Sequence, residues 1–279
     1  MLRSWRERLL IGFSPSELTL ARVKGLLRPS VTGKSAIPCD PAYGSEPWHG
    51  VAAVLRDEAV HFRGNAVDVT VVLSNHFVRY ALVPWNEALA GAAEELAFAR
   101  HCFAKIHGER SKAWTLSVSE ESAGAPRIAS AIDTVLLETI RACFPLDARA
   151  RLVSVQPSLM SAVNFWYRPR AKASAWLLLT ELERACLALH SEGRWQTVIN
   201  SKGSYSTPEE WAELLERERL RTLGADSVSK VFVHSAESGT EHLQQAGVWE
   251  LEPLSLPPLE GYSPSEDRRY DMALAAGLA

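Results

Sequence analysis

The sequence predicts an α/β fold built from a doubled unit. Three observations predict it: two stretches repeat one order of elements, each carries apolar strand-like runs around one amphipathic helix, and a segment that the repeat does not need separates them. In the first copy, strands are expected at 9–13, 18–23 and 33–38, a helix at 48–62 and a strand at 67–73. The second copy places strands at 175–179, 184–190 and 195–200, a helix at 208–223 and a strand at 228–234.

Each element has a local reason. Ser14, Pro15 and Ser16 separate two apolar runs and suit a tight turn, so the chain opens on a hairpin. Trp48, Val51, Ala52, Leu55, Ala59 and Phe62 recur at helical spacing and read as a core stripe. The run 67–73 is rich in β-branched residues, and 78–83 reads as a second strand before Pro84. From 85 to 170 the chain exceeds the repeat. A helix at 92–106, strands at 113–119 and 127–131 and a helix at 133–144 predict a small inserted α+β subdomain over roughly 85–150. A strand at 150–156 and a helix at 157–167 lead across to a linker at 168–174 that holds Pro169. The expected division is therefore 1–172, including the insertion, and 173–279.

In the second copy Thr207, Pro208 and Glu210 form a capping box with proline at the first helical position. Arg217, Arg219 and Arg221 crowd the far end of that helix, where its dipole favours cations, and Gly224 supplies the stop. A closing helix at 266–278 carries Gly277, which permits close approach of a neighbour.

Bulk properties exclude several function classes. With 279 residues, 47% of them hydrophobic, the chain can bury two cores. A formal net charge of -3 provides no whole-protein field for nucleic acid or for an anionic membrane surface. Arg3, Arg6 and Arg8 precede an apolar run too short for a signal peptide, and no run approaches the roughly 20 apolar residues that cross a bilayer. The expected location is the cytosol, with membrane association only through partners. Cys39, Cys102, Cys143 and Cys186 are dispersed and read as free thiols, and His101 and His107 fall on different faces of a helix, so no metal site is expected. No Gly-x-Ser-x-Gly, His-Glu-x-x-His or Walker-type loop is present, and no catalytic residue is assigned.

The doubled unit resembles the actin-like, ribonuclease H-like architecture of actin-like ATPases and sugar kinases. That resemblance implies two lobes whose hairpin turns cradle phosphates through backbone N–H groups, with an aspartate that organises the metal. In the first turn, from Gly12 to Glu17, Ser14 stands where the aspartate is expected, Pro15 lacks a donor, Ser16 follows, and Glu17 adds negative charge. The second turn holds Thr180, Glu181 and Glu183 and no glycine. The loop after 231–234, which supports adenosine in nucleotide-binding relatives, offers only Gly239. The expectation is a fold whose anion-holding turns have degenerated, with no bound cofactor.

A narrower resemblance rests on VTVVLSNHFVRYALVPW at 69–85, AEELAFARHCF and the Trp114 strand, LVSVQPSLMSAVN at 152–164 and the terminal MALAAGLA. These are similar to the actin-like proteins of type IV pilus and type II secretion assembly platforms, of the PilM type and of the cytoplasmic portion of the GspL type. The resemblance implies a non-catalytic scaffold, peripheral to the inner membrane, that binds the N-terminal cytoplasmic segment of a bitopic, PilN-like protein and connects to the assembly ATPase. GspL continues into a membrane span, whereas this chain stops at Ala279, so a separate polypeptide is expected to supply the anchor, as in a pilus or MSHA-like system. The groove between the first lobe and the insertion is the expected docking surface, with Trp85, Trp114, Trp166 and Tyr167 as candidate hot spots against the commoner fate of core burial. The alternative is an active ATPase or small-molecule kinase of the same superfamily, using ATP and magnesium with Glu17, Glu181 or Glu183 in place of the aspartate.

Overall fold

A computed structural model describes residues 7–25, 27–62, 64–89, 91–167, 174–236, 244–264 and 267–279. In chain order the elements are β1 (Glu7–Phe13), β2 (Glu17–Lys24), β3 (Ser30–Pro38), α1 (His49–Phe62), β4 (Val67–Leu73), β5 (Val78–Val83), α2 (Ala92–His107), β6 (Trp114–Val118) and β7 (Arg127–Asp133). They continue with α3 (Thr134–Cys143), β8 (Arg151–Pro157), α4 (Ser158–Ala162), β9 (Ala175–Glu181), β10 (Arg184–Ser191) and β11 (Arg194–Lys202). The last are α5 (Pro208–Arg219), β12 (Lys230–Ser235), β13 (Gln245–Ala246), β14 (Trp249–Pro253) and α6 (Asp271–Leu278).

The duplication is visible in sheet topology. One sheet runs β3-β2-β1-β4-β8 and another runs β11-β10-β9-β12-β14-β13. In both, an antiparallel three-strand meander is followed through a helix by a strand parallel to the first, then by a further parallel strand. The parallel steps require crossover connections, which α1 and α5 supply. A third sheet, β5-β7-β6, is wholly antiparallel and belongs to the insertion.

Contacts group the chain into two compact units. One comprises Met1–Phe77, Val135–Pro169 and Ser255–Ala279, and the other Val78–Thr134 and Arg170–Leu254. This packing division differs from the expected one at 172/173, which followed the repeat. For residues 255–279 the reason is visible in α6, where Ala273, Leu274 and Ala275 are buried and a Cβ on Gly277 would strike Leu10 of β1. Only a glycine lets that helix lie so close.

The first unit buries Leu9, Ile11 and Phe13 of β1, Val69, Val71 and Leu73 of β4, and Val51, Leu55 and Phe62 of α1. In the second, Trp176, Leu178, Leu187, Trp211, Leu214, Val231 and Trp249 form one cluster, with Trp176 and Trp249 edge to face at 6.4 Å. Each such aliphatic side chain contributes on the order of 1.5–3 kcal/mol relative to exposure. Ala81, Val83, Ala99, Phe103, Leu116 and Ala129 make the separate small core of the insertion.

Several boundaries differ from the sequence reading. α5 begins at the expected capping box, Thr207 accepting from the Glu210 backbone, but ends at Arg219 rather than at 223. Bonds of the i to i+3 kind from Arg221 and Thr222 tighten the chain there, and Gly224, at φ +75°, turns it away. β13 and β14 were not anticipated, although Trp249 and Leu251 alternate with Glu250 and Glu252. The helix expected through 167 ends at Ala162 and widens into a π turn over Val163–Tyr167. Most of the expected linker, and residue 266 of the expected closing helix, lie outside the described residues; that helix starts only at Asp271, after a 3-10 turn over Arg268–Tyr270.

Candidate functional site

The first hairpin turn is closed on itself. Ser14 donates both its backbone N–H and its hydroxyl to the Glu17 carbonyl, at 3.1 and 2.8 Å. Pro15 has no N–H to offer, and the Ser16 carbonyl accepts from the Cys39 N–H at 2.8 Å. An anion cradle needs N–H groups aimed outward, and this turn directs its first donor inward and lacks the second. Gly12 sits in β1 opposite Thr19, where a Cβ would collide with the threonine hydroxyl. Its missing side chain thus serves strand packing, and the Thr19 Oγ1 is enclosed with no hydrogen-bond partner.

Glu17 is not the unbalanced negative charge expected from the sequence. Arg269 donates from Nη1 to Glu17 at 2.7 Å and grips Asp267 through Nε at 2.9 Å and Nη2 at 2.7 Å. Hydrogen bonding to Asp267, followed by the charge of Glu17, raises the proton affinity of Arg269, and the same guanidinium holds Asp267 below the usual carboxylate range. Beneath them Arg268 and Asp271 pair at 3.3 Å while nearly fully buried, and the Tyr262 hydroxyl donates to Asp271. Sequence reasoning missed this lock. The charge-dense run from Asp267 to Asp271 was its only local signal.

The second turn lies in the other unit. Thr180 is buried, with its hydroxyl enclosed and unpartnered. Glu181 ends β9 opposite Arg184, and Glu183 holds φ +53°, the left-handed region where glycine would be unstrained. Arg184 begins β10 and donates to Asn200 at 3.2 Å. Of the third loop, Ser235 is buried and Ala236 donates to the Thr180 carbonyl at 3.4 Å, while Gly239 lies outside the described residues.

The four aromatic candidates separate by burial. Trp166 and Tyr167 are each 2% exposed, and Trp166 donates to the Ser255 carbonyl at 3.0 Å, so both are structural. Trp114 packs against the core of the insertion, edge to face with Phe103 and His107. Trp85 alone of the four is open, at 39%. It lines a shallow recess open to solvent, together with Pro84, Leu89, Phe98 and Val118. Arg127 lies 5.7 Å from its ring centroid and pairs with Glu95, which fixes the guanidinium beside the indole.

Among the described residues no cluster of three or more His, Cys, Asp and Glu could hold a metal ion, and no helix is long and apolar enough to cross a membrane. The four cysteines are free, and Cys186, fully buried, has its thiol pushed well up by burial.

No protein-family model matches this chain, and no curated protein matches it in sequence. Solved structures do. A PilM-PilN type IV pilus biogenesis complex matches with a TM-score of 0.66 at 16% identity, over 99% of this chain and 98% of that one. The cytoplasmic domain of EpsL, an inner-membrane component of the type II secretion system of Vibrio cholerae, matches with a TM-score of 0.60 at 12% identity, over 98% of this chain and 94% of that one. A Bacteroides thetaiotaomicron protein with an actin-like ATPase fold matches with a TM-score of 0.56 at 11% identity, over 85% and 84% of the two chains. The chain therefore has the duplicated actin-like α/β fold, of the kind that PilM and the EpsL cytoplasmic domain share.

Proposed function

We propose that this protein is a non-catalytic scaffold of a type IV pilus, MSHA-like or type II secretion assembly platform. It works in the cytoplasm at the inner membrane, which it reaches by binding a short cytoplasmic segment of a bitopic, PilN-like protein; the assembly ATPase is a second partner. The likeness to the PilM-PilN complex and to EpsL over almost the whole chain supports the assembly role. The observation that carries the non-catalytic part is the first hairpin turn, where the N–H and hydroxyl of Ser14 are both taken by Glu17 and Pro15 supplies no donor. A phosphate brought there meets one missing donor, one donor turned inward and no aspartate to hold magnesium.

The recess at Trp85 suits the partner segment. An open indole backed by Pro84, Leu89 and Phe98, with Arg127 held beside it, is the kind of anchor on which a few residues of a peptide gain most of their binding energy. Calorimetry and thermal melting test the reading together. Magnesium and ATP should give no binding heat, and the N-terminal cytoplasmic peptide of the PilN-like protein from the same organism should raise the melting temperature. Tight binding of magnesium and ATP, with no response to the peptide, would replace the scaffold by an active ATPase or kinase.

A further inference from the structure

A strand at the edge of a sheet leaves half of its backbone N–H and C=O groups unpaired, and proteins blunt such edges with charges, prolines, bulges or brevity. Among the described residues, five of the six strands that end the three sheets are blunted in this way. β3 carries Lys34 and Pro38 and skips Thr32 in its register with β2, and β8 carries Arg151 and Pro157 and skips Val153 against β4. β11 carries Arg194 and Lys202 and skips Gln196 against β10, β5 holds Arg79, and β13 is two residues long. β6 has none of these devices. Its residues, Trp114, Thr115, Leu116, Ser117 and Val118, pair with β7 in unbroken register.

The register identifies the free groups. Ser119 donates its N–H to the Ile128 carbonyl at 2.9 Å, so that pair is hydrogen-bonded, and bonded and non-bonded pairs alternate along an antiparallel ladder. Thr115 and Ser117 therefore bond β7, while Trp114, Leu116 and Val118 turn their backbone groups to the open side. The Trp114 N–H is taken by the Ser111 carbonyl, which leaves the Trp114 C=O and both groups of Leu116 and Val118. The side chains of Trp114, Leu116 and Val118 pack on the core of the insertion, and Ser117 is exposed on the other face. Charge is divided along the segment: Arg110 and Lys112 precede the strand, and Glu120 and Glu121 follow it. Lys112 meets Glu109 at 2.7 Å with both side chains exposed, where water screens the pair.

We propose that β6 is a self-association edge, which pairs antiparallel with β6 of a second copy of this chain about Leu116. In that register the two Leu116 residues exchange N–H···O bonds, and each Val118 N–H meets the Trp114 carbonyl of the other copy. Trp114 comes opposite Val118 and Thr115 opposite Ser117, an aromatic–β-branched pair and a hydroxyl pair of the kinds that stabilise neighbouring strands. Lys112 comes opposite Glu120, so the basic flank of each copy meets the acidic flank of the other; parallel pairing would set like charge on like. This charge order, reversed by the two-fold axis, argues for a second copy as the occupant. So short a strand buries less than the roughly 1,200 Å² of a standard interface, and the dimer is accordingly weak and concentration-dependent. The inference concerns copies of this chain and is independent of the scaffold reading.

Sedimentation equilibrium of the intact protein over a wide concentration range, with amide hydrogen exchange, tests this. Wild-type protein should move from monomer toward dimer as concentration rises. The Leu116 and Val118 amides should exchange freely in dilute protein and gain protection in concentrated protein, while the Ser117 amide, bonded to β7, should not change. Val118→Pro removes an outward N–H and no bond to β7, so it should weaken dimerisation about tenfold or more with the fold retained. Lys112→Glu and Glu120→Lys, on exposed side chains, should each weaken it, and the two together should restore it, which damage to the fold would not do. A monomer at every concentration, a dimer indifferent to Val118→Pro, or charge reversals that fail to compensate would each overturn the proposal. Protection of Leu116 and Val118 only on addition of the PilN-like peptide would assign the edge to that peptide and overturn it as well. Self-association is read without nucleotide or partner, so its failure leaves the scaffold reading standing.

Discussion

Arg269 reaches from just before the last helix to Glu17 at the start of β2, donating at 2.7 Å across 252 residues of sequence. The two ends of the first unit are joined by that ion pair and by the buried Arg268–Asp271 pair below it. With Arg269 half-exposed and Glu17 about a fifth exposed, water screens the outer pair, so its coupling should be about 0.5–1 kcal/mol. A double-mutant cycle of Glu17→Gln and Arg269→Met in urea measures it. A coupling indistinguishable from zero would mean that the buried pair alone closes the unit.

Gly12→Ala should destabilise the protein by about 1–3 kcal/mol, because the new methyl meets the Thr19 hydroxyl inside the β1–β2 pair. Combining it with Thr19→Ala removes the atom in the way and should restore much of the loss. If the double variant is no more stable than Gly12→Ala alone, the glycine has another role.

Two tryptophans should respond in opposite ways. Trp166→Ala removes a buried ring and its bond to the Ser255 carbonyl and should cost about 3–5 kcal/mol of stability. Trp85→Ala should cost less than about 1 kcal/mol of stability, yet weaken binding of the PilN-like peptide by about 2 kcal/mol. Thermal melts and peptide calorimetry on the two variants separate these effects.

Stability should fall as the solution is acidified from pH 7 toward pH 5. Burial depresses the proton affinity of His190 against the opposing charge of Glu121, and burial followed by the charge of Arg79 depresses that of His107. Between the lowered folded value and the ordinary value near ~6.5, the unfolded chain binds more protons, so stability is lost as pH falls through that window. Urea midpoints at several pH values check the sign, and a His190→Gln variant should flatten the slope. A midpoint that rises on acidification would contradict this assignment.

Much of the fold was legible in the sequence because its signals are local. The apolar runs that became β1, β2, β9 and β10, the stripe along α1 and the capping box of α5 each lie within a dozen or so residues. The order of those elements, read twice, was enough to identify the doubled unit. Less local features escaped. β14 is short and its alternation brief, and the end of α5 depended on a tightened last turn rather than on the glycine beyond it.

Of the candidate site, the residue types of the first turn were readable, Ser14 and Pro15 above all, but their hydrogen bonding was not. Nothing near Glu17 in sequence announces that Arg269 neutralises it. By itself the sequence determined the repeated strand–helix order and the residue types of each turn, a second turn without glycine among them. Tertiary structure alone decided which charges meet, which tryptophan stays open and which unit the closing helix joins. Those outcomes depend on contacts between residues far apart along the chain, and such contacts exist only once the packed core has chosen them.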